Sequence, residues 1–187
     1  MVDDAQLIAG ALAGDTAAFG ELATRHQDRL YNTLVHVVGS AEDAYDVVQD
    51  ALVQAFLKLD TFHGASAFYT WLYRIAFNLA ISRRRRQRPF VSVEQHRLLA
   101  GEEPLERGAG PGERIEQHER AVQVQQALAA LSEEHRAVLV LREIDGCCYE
   151  TIGEILDLPV GTVRSRLHRA RLQLREQLKE VLQEDLM

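Results

Sequence analysis

Arginine side chains crowd the segment from Val160 to Arg171, and their spacing suits them to bind nucleic acid. The segment's cations and hydrogen-bonding side chains are Thr162, Arg164, Ser165, Arg166, His168, Arg169 and Arg171. Guanidinium groups bind phosphate oxygens and guanine edges, and hydroxyl groups add phosphate contacts. Because no Asp or Glu occurs from Val160 to Arg175, this helix favours a polyanionic partner. The alternative is a solvated basic face on a packing helix.

Two helical patterns joined by a turn position these side chains. The first helix has an apolar stripe at helical spacing, made of Ile152, Ile155 and Leu156. Pro159 ends this helix, because proline disfavours the α conformation in the residue before it. The second helix turns a matching stripe inward, made of Val163, Leu167 and Ala170. This arrangement predicts a helix-turn-helix whose second helix enters a DNA major groove.

Aromatic and basic residues form a second candidate site, in the first half of the chain. Six of the twelve Phe, Tyr and Trp residues lie between Phe62 and Phe77, and five arginines follow at 83–88. Bases can stack on aromatic rings while arginines neutralise phosphates, so the segment predicts a surface for unpaired bases. Gly64 permits a sharp bend in the preceding loop. The alternative is an aromatic core helix with a solvated basic tail, because Trp71 and Leu72 lie at core spacing.

The predicted helix that begins at Ala41 carries an acidic face. Its polar side chains are Asp43, Asp46, Gln49, Asp50 and Gln54. The helix dipole favours acids in the first turns and accounts for Asp43 and Asp46 without a function. Asp50 lies deeper in the helix, where the dipole gives no such explanation.

Composition excludes several classes of protein. The 187 residues are 47% hydrophobic, and the formal net charge of −7 argues against indiscriminate coating of nucleic acid. The adjacent Cys147 and Cys148 favour neither a disulfide nor a metal site, and we expect small residues that lead into a helix. No catalytic constellation and no cofactor motif stands out. Neither a signal peptide nor a membrane span is evident, and we expect a cytoplasmic protein.

The chain divides into three parts by composition. We predict an all-α protein with two small helical domains, at 1–88 and 117–187, and the helix-turn-helix lies in the second. Between them, residues 89–116 contain three of the four prolines and carry a net charge of −3, which indicates a flexible acidic linker. A brief helix at Glu94–Leu99 is expected within this linker.

Taken together, these segments resemble the extracytoplasmic-function class of sigma factors in the sigma-70 superfamily. Residues 42–50 resemble the polymerase-binding helix of that family. Residues 62–78 resemble its promoter-melting segment, and residues 160–171 are similar to its −35 recognition helix almost residue for residue. The three segments occur in the family's order around a linker, so the resemblance is specific and covers nearly all of the chain outside the linker.

The resemblance implies a transcription initiation factor that is not an enzyme and needs no cofactor or metal. Its partners would be promoter DNA and the RNA polymerase core, contacted at the β′ clamp and the β flap. Polymerase would be bound by Asp43, Asp46, Gln49 and Asp50. The −10 element would be recognised and melted by Phe62, His63, Gly64, Ser66, Phe68, Trp71, Arg74, Asn78, Arg83 and Arg84. At −35, base edges would be read by Arg164, Ser165, His168 and Arg169, and phosphates bound by Thr162, Arg166 and Arg171.

The resemblance also implies an anti-sigma factor as a regulator, no membrane insertion, and a monomer when free. The sequence departs from the family at His63 and Ala65, where an arginine and an acidic residue are usual, and at Gly153, where alanine is common. Two other functions compete with this interpretation. An autonomous operator-binding regulator would have no use for residues 41–88, and a decoy for a sigma regulator would not need the arginines at 164–171.

Overall fold

Helices form every regular element of residues 3–87 and 111–184, the part of the chain that the computed structural model describes. The first half contains α1 (Asp4–Leu12), α2 (Thr16–Val38), α3 (Ala41–Leu57) and α4 (Phe68–Gln87), with a 3-10 turn at Leu59–Thr61. The second half contains α5 (Pro111–Ala130), α6 (Glu133–Leu139), α7 (Tyr149–Leu156) and α8 (Val160–Glu184). Most of the predicted linker, with its Glu94–Leu99 helix, lies outside the described residues.

Side-chain caps set the helix starts in the first half. Asp3 forms a capping box with Gln6 at the start of α1. The carboxylate of Asp15 accepts hydrogen bonds from the first backbone amides of α2. Gly39 ends α2 in the left-handed conformation at φ +81°, and Ser40 then caps α3. The chain therefore reverses direction within two residues, and α2 packs against α3.

The second half continues α6 into a wider turn before the helix-turn-helix. Residues Val140–Ile144 form a π-helical turn, which delivers the chain through Gly146 at φ +73° to α7. The turn places Glu143 and Ile144 on the surface while Val140 and Leu141 stay buried. Such π turns are rare and often lie at functional sites.

The two halves pack against each other through one continuous apolar core. Buried residues of α2 and α4, such as Leu34 and Phe77, belong to the same cluster as Ala137 and Leu141. Arg136, only 1% exposed, donates to carbonyl oxygens at the end of α5 and, at 3.2 Å, to the carbonyl oxygen of Val37 in α2. The predicted all-α fold with a C-terminal helix-turn-helix is confirmed, and the halves are in contact.

Candidate nucleic-acid interface

The turn between α7 and α8 is built around a close backbone approach at Gly153. Asp157 adopts the left-handed conformation at φ +55°, and the amide of Leu158 donates to the carbonyl oxygen of Gly153 over 2.9 Å. A Cβ at Gly153 would lie 2.7 Å from the carbonyl oxygen of Leu158. The amides of Thr162 and Val163 then donate to the carbonyl oxygen of Pro159, which starts α8. The glycine therefore fixes the angle at which α8 leaves the turn.

Helix α8 presents its polar side chains to solvent, as its apolar stripe predicts. Val163, Leu167 and Ala170 are buried beneath the surface. The exposed side chains are Arg164, Ser165, His168, Arg169 and Arg171, while Thr162 and Arg166 are half-buried. The hydroxyl of Ser165 donates to the carbonyl oxygen of Thr162 over 3.0 Å. All seven residues predicted to bind at −35 lie on one helix, and five of them are exposed.

Two of these arginines are held by carboxylates from outside the helix. Arg166 pairs with Glu134 of α6 over 3.0 Å. Arg171 donates from Nε over 2.9 Å and from Nη2 over 2.6 Å to one oxygen of Glu143 in the π turn. Within the described residues, Arg164 and Arg169 form no salt bridge. Of the four arginines predicted to bind at −35, two are therefore available for new contacts and two already have a partner.

Three aromatic rings form a cluster where the loop after α3 meets α4. Ring centroids lie 5.3 Å apart for Phe62 and Trp71, 5.8 Å for Phe62 and Phe68, and 5.7 Å for Phe68 and Trp71. Phe68 is only 3% exposed and forms the buried side of the cluster, whereas Phe62 and Trp71 are half-buried. The loop above them bends at Gly64, which has φ +69°. The loop residues at 63–65 are exposed next to this cluster, and Phe62 and Trp71 remain partly accessible to solvent.

The remaining residues predicted at −10 extend along this loop and helix. His63 and Gly64 of the loop are exposed, and Ser66 is half-buried. Arg74 and Asn78 project from α4 at helical spacing after Trp71, and both are exposed. Further along α4, the side chain of Arg83 turns back to α3, and Arg84 follows it in the same helix. The loop and the exposed face of α4 therefore form one continuous surface.

Helix α3 combines acids with exposed apolar side chains on one face. Asp46, Gln49 and Asp50 are exposed, and Asp43 is half-buried. Asp46 pairs with Arg83 over 2.8 Å, which connects this face to α4. The same surface exposes large apolar side chains: Tyr45 (58%), Val53 (59%), Phe56 (44%) and Leu57 (72%). The sequence analysis did not single out these residues, although apolar residues on both faces of α3 could have revealed them.

A buried carboxylate joins the two halves at the turn before α7. The Asp145 side chain is 2% exposed and accepts hydrogen bonds from Arg29 Nε over 3.0 Å, Thr33 Oγ1 over 3.1 Å and Cys147 Sγ over 3.0 Å. The hydroxyl of Tyr73 lies 3.3 Å from the same carboxylate. We call these five residues the Asp145 junction. No sequence pattern indicated this junction, because its residues come from three separate segments of the chain: α2, α4 and the turn before α7.

The two cysteines differ in their surroundings. Burial, together with the hydrogen bond to Asp145, raises the pKa of the Cys147 thiol to about 12. Cys148 is exposed, and its sulfur lies 3.1 Å from Thr151 Oγ1. Neither forms a disulfide, and the described residues contain no group of three or more His, Cys, Asp or Glu side chains placed to hold a metal.

The fold and this surface define a helix-turn-helix DNA-binding protein with a second, aromatic and basic face on its other half. Comparison with known proteins makes the class specific. Residues 22–90 match the family described as Sigma-70 region 2, and residues 121–174 match Sigma-70, region 4. The chain belongs to the extracytoplasmic-function RNA polymerase sigma factors.

Individual relatives cover almost all of the chain. It is 38% identical over 186 residues to RNA polymerase sigma-H factor of Pseudomonas aeruginosa, covering 97% of this chain and 96% of that protein. It is 35% identical over 175 residues to the ECF RNA polymerase sigma factor SigW of Bacillus subtilis, and the match covers 90% of this chain and 92% of SigW. Its structure resembles the sigma factor RpoE of Bartonella quintana, which was solved in complex with the anti-sigma factor NepR. The TM-score is 0.67 and the sequence identity 27%, and the match covers 86% of this chain and 96% of the RpoE chain.

Family membership confirms the predicted general function. The protein directs transcription initiation to promoters, and it is an initiation factor rather than a catalytic enzyme. No helix among the described residues is long and apolar enough to cross a membrane.

Proposed function

We propose that α8 reads the −35 element of promoter DNA. The observation that carries this proposal is the exposed arginine face of α8, set by the Gly153 turn on a buried apolar stripe. Arg164, Ser165, His168 and Arg169 point away from the core and would reach base edges in a major groove. Thr162, Arg166 and Arg171 flank them and would contact phosphates, which position the helix without reading sequence.

The first half would capture and melt the −10 element. The exposed loop at 63–65 would receive a base that has left the duplex, and the accessible edges of Phe62 and Trp71 would stack against it. Arg74 and Asn78 would follow the unpaired strand along α4, and Arg83 and Arg84 would neutralise its phosphates. Unstacking a base costs a few kcal/mol, so these new contacts must offset that cost.

The acidic and apolar face of α3 would bind the RNA polymerase core. Its carboxylates at Asp46 and Asp50 suit a basic partner surface, and the exposed Tyr45, Val53 and Leu57 would be covered by it. Large exposed apolar side chains that are interleaved with charge mark protein interfaces. This contact would be made with the β′ clamp, and the second half would approach the β flap. Because polymerase acts on the chromosome, we infer that the protein works in the cytoplasm.

We further propose a division into a first domain at 1–88, a linker at 89–116 and a second domain at 117–187. We call the arrangement in which the two halves are in contact the closed form. In this form Arg74 Nη2 of α4 lies 3.9 Å from a carboxylate oxygen of Asp157, in the turn of the helix-turn-helix. Promoter elements at −10 and −35 are about 25 base pairs apart, or roughly 85 Å along B-form DNA at 3.4 Å per base pair. The two halves must therefore separate before both elements can be bound at once.

An anti-sigma factor would control this protein by covering one or both binding faces. The support is that the Bartonella quintana relative was solved in complex with an anti-sigma factor. Expression of this chain well above its native level should then induce its target promoters without any external stimulus. If promoter activity instead follows the stimulus regardless of the amount of the chain, this regulation is excluded.

The decisive test is run-off transcription with purified core polymerase and a library of genomic fragments, with the protein present or absent. Discrete start sites that depend on the protein support the proposal, and alignment of the upstream sequences gives both promoter elements. Arg169→Ala should relax preference at one −35 position by about 1–3 kcal/mol if its contact is bidentate. Specific duplex binding without any start sites would instead indicate an autonomous regulator.

A further inference from the structure

The first half of the protein contains a pocket for an oxyanion, which Asp145 of the second half fills in the closed form. Arg29 donates from Nε over 3.0 Å and from Nη2 over 3.2 Å to the two carboxylate oxygens of Asp145. Thr33 Oγ1 and the Tyr73 hydroxyl lie 3.1 Å and 3.3 Å from one of these oxygens. Arginine binds carboxylates and phosphates alike through this two-pronged geometry. The pocket is therefore suited to either anion.

The side chains of the pocket are held in place by the first half alone. Arg29 and Thr33 lie one turn apart on α2, and Tyr69 and Tyr73 lie one turn apart on α4, so each pair faces the same way. The guanidinium carbon of Arg29 lies 4.0 Å from the centre of the Tyr69 ring, and the two tyrosine rings are 4.0 Å apart. We call these four residues the Arg29 pocket. Because the contacts among them do not involve the second half, they persist when the halves separate.

The hydroxyl protons show what the pocket needs once Asp145 leaves. Thr33 and Tyr73 each have one hydroxyl proton to donate. Both hydroxyls lie within hydrogen-bond distance of the Arg29 carbonyl oxygen, at 3.0 Å and 2.9 Å. One hydroxyl satisfies this carbonyl oxygen, and the other donates to the Asp145 carboxylate. When the carboxylate leaves, Arg29 Nε, Arg29 Nη2 and one hydroxyl lose their acceptor together, and a second oxyanion can accept from all of them.

Charge and neighbouring residues favour a nucleic-acid phosphate as this second oxyanion. Helix α4 contains five arginines and no Asp or Glu. Arg74 of the proposed −10 surface directly follows Tyr73 and is rotated from it by about 100° around the helix. In the closed form Arg74 also lies 3.9 Å from an acid of the second half, Asp157. The Arg29 pocket therefore lies beside the surface proposed to follow the unpaired strand.

We propose that the Arg29 pocket binds a backbone phosphate of the unpaired −10 strand in the open form, at the place that Asp145 occupies in the closed form. Two phosphate oxygens would accept from Arg29 Nε and Nη2, and one hydroxyl would complete the contact. DNA and the second half would then compete for one pocket, so strand binding and closure exclude each other. Phosphate contacts carry no sequence information, so the pocket positions the strand and does not read it. The proposal rests on the assignment of the first half to the −10 element.

The experiment measures binding of holoenzyme to a fluorescent promoter fork whose −10 element is single-stranded, by anisotropy. Core polymerase is combined with the full-length chain, and run-off transcription supplies the promoter sequence. All variants carry Asp145→Asn, which removes the ion pair, so Arg29 no longer acts through the closed form. In this background Arg29→Gln should weaken binding about fivefold or more. The log–log slope against salt should become shallower by about 0.7, which is one phosphate of a single strand.

A chemical scan of the strand identifies the phosphate. Each backbone phosphate of the unpaired −10 strand is replaced in turn by an uncharged methylphosphonate. At one position this replacement should weaken binding about fivefold when Arg29 is present and have little effect in the Arg29→Gln variant. Arg29→Lys, which keeps the charge but loses the two-pronged geometry, should weaken binding by less than Arg29→Gln.

Arg25→Gln is the matched control for the loss of charge. It removes an arginine one turn earlier in α2, where Arg25 pairs with Asp4 and Glu21. This substitution should leave the pattern of methylphosphonate effects as it is in the Asp145→Asn protein. Thermal unfolding of each variant verifies that the helices of the first half are intact.

The outcomes separate this inference from the function on which it rests. If Arg29→Gln leaves binding unchanged, strengthens it, or alters the effect of every methylphosphonate equally, the pocket holds no phosphate and the inference is overturned. Weaker assembly with core polymerase and an unchanged methylphosphonate pattern would also overturn it, because the pocket would then take a carboxylate of polymerase. If the wild-type holoenzyme binds a fork with a scrambled −10 element equally well, the assignment of the first half to −10 fails instead.

Discussion

At the scale of single residues, Gly153 shows why propensity alone misjudges a position. A glycine inside a helix costs up to about 1 kcal/mol relative to alanine, so by propensity alone Gly153 would only lower stability. The structure shows the packing partner, which is the carbonyl oxygen of Leu158 and therefore backbone. Backbone in a tight turn cannot move aside as a flexible side chain would.

Gly153→Ala should therefore destabilise the protein although alanine favours helix. A Cβ 2.7 Å from the Leu158 oxygen forces the turn open, at a cost of about 1–3 kcal/mol. Thermal unfolding followed by circular dichroism measures this cost. Gly161→Ala in α8 is the matched control, because no atom lies within 4 Å of a Cβ there, and it should be neutral or slightly stabilising. Equal effects of the two substitutions would contradict the role given to the turn.

The cysteines give a second prediction at this scale. Burial and the bond to Asp145 raise the pKa of Cys147 to about 12, so at pH 8 it is a buried, protonated thiol, and the thiolate is the reactive form. Cys148 is exposed. A thiol reagent such as Ellman's reagent should modify one cysteine in the native protein at pH 8 and two after denaturation. Retention of one rapid equivalent in Cys147→Ser, and its loss in Cys148→Ser, would identify the reactive residue. Two rapid equivalents in native protein would show that the Asp145 junction is open.

At the scale of helices, the sequence predicted α3 and the two helices of the helix-turn-helix. The bounds of α2, α3, α7 and α8 follow from local features, which are the caps at Asp15 and Ser40, the break at Pro159 and apolar periodicity. Such features act within a few residues and are therefore visible in the sequence. The exposed apolar face of α3 was missed, because periodicity does not show which of two apolar faces is buried.

Asp50→Ala tests the function of that face of α3. The side chain is exposed and belongs to no salt bridge within the described residues, so its removal should leave the fold unchanged. It should weaken binding to core polymerase by about 1 kcal/mol or more if the contact is desolvated in the complex. Surface-bound core polymerase measures this affinity. Binding of the full-length variant to a −35 duplex should equal that of wild type, and a loss there would contradict the assignment of the two faces.

At the scale of the whole molecule, the contacts between the halves were beyond sequence reasoning. Arg29 and Asp145 are separated by 116 residues, and no local pattern pairs them. Both have ordinary local explanations, as a surface arginine of α2 and a turn residue before α7. Only the folded chain shows that Asp145 is buried and accepts hydrogen bonds from both halves. Candidate residues were therefore predictable one segment at a time, whereas their mutual arrangement was not.

The Asp145 junction allows the closed arrangement to be tested against function. Cys147 lies in the same half as Asp145, so opening leaves its hydrogen bond in place and removes the two that Arg29 and Thr33 donate. Those hydrogen bonds stabilise the closed form, and any binding event that needs the halves apart must overcome them. Only molecules in the open form can bind both promoter elements. The apparent affinity for a promoter is therefore the affinity of the open form multiplied by the fraction of molecules that are open. Weakening the junction should consequently lower stability and raise promoter activity together.

Asp145→Asn is the variant that separates these two effects. The amide retains the shape but loses the ion pair with Arg29, so the free energy of unfolding should fall by about 1–3 kcal/mol. Small-angle X-ray scattering should show a larger radius of gyration, and run-off transcription at limiting protein should increase. Asp28→Asn, which removes an exposed acid from the same region of α2, should change none of the three. Reduced stability with unchanged scattering and unchanged transcription would mean that the junction stabilises the fold but does not oppose promoter binding.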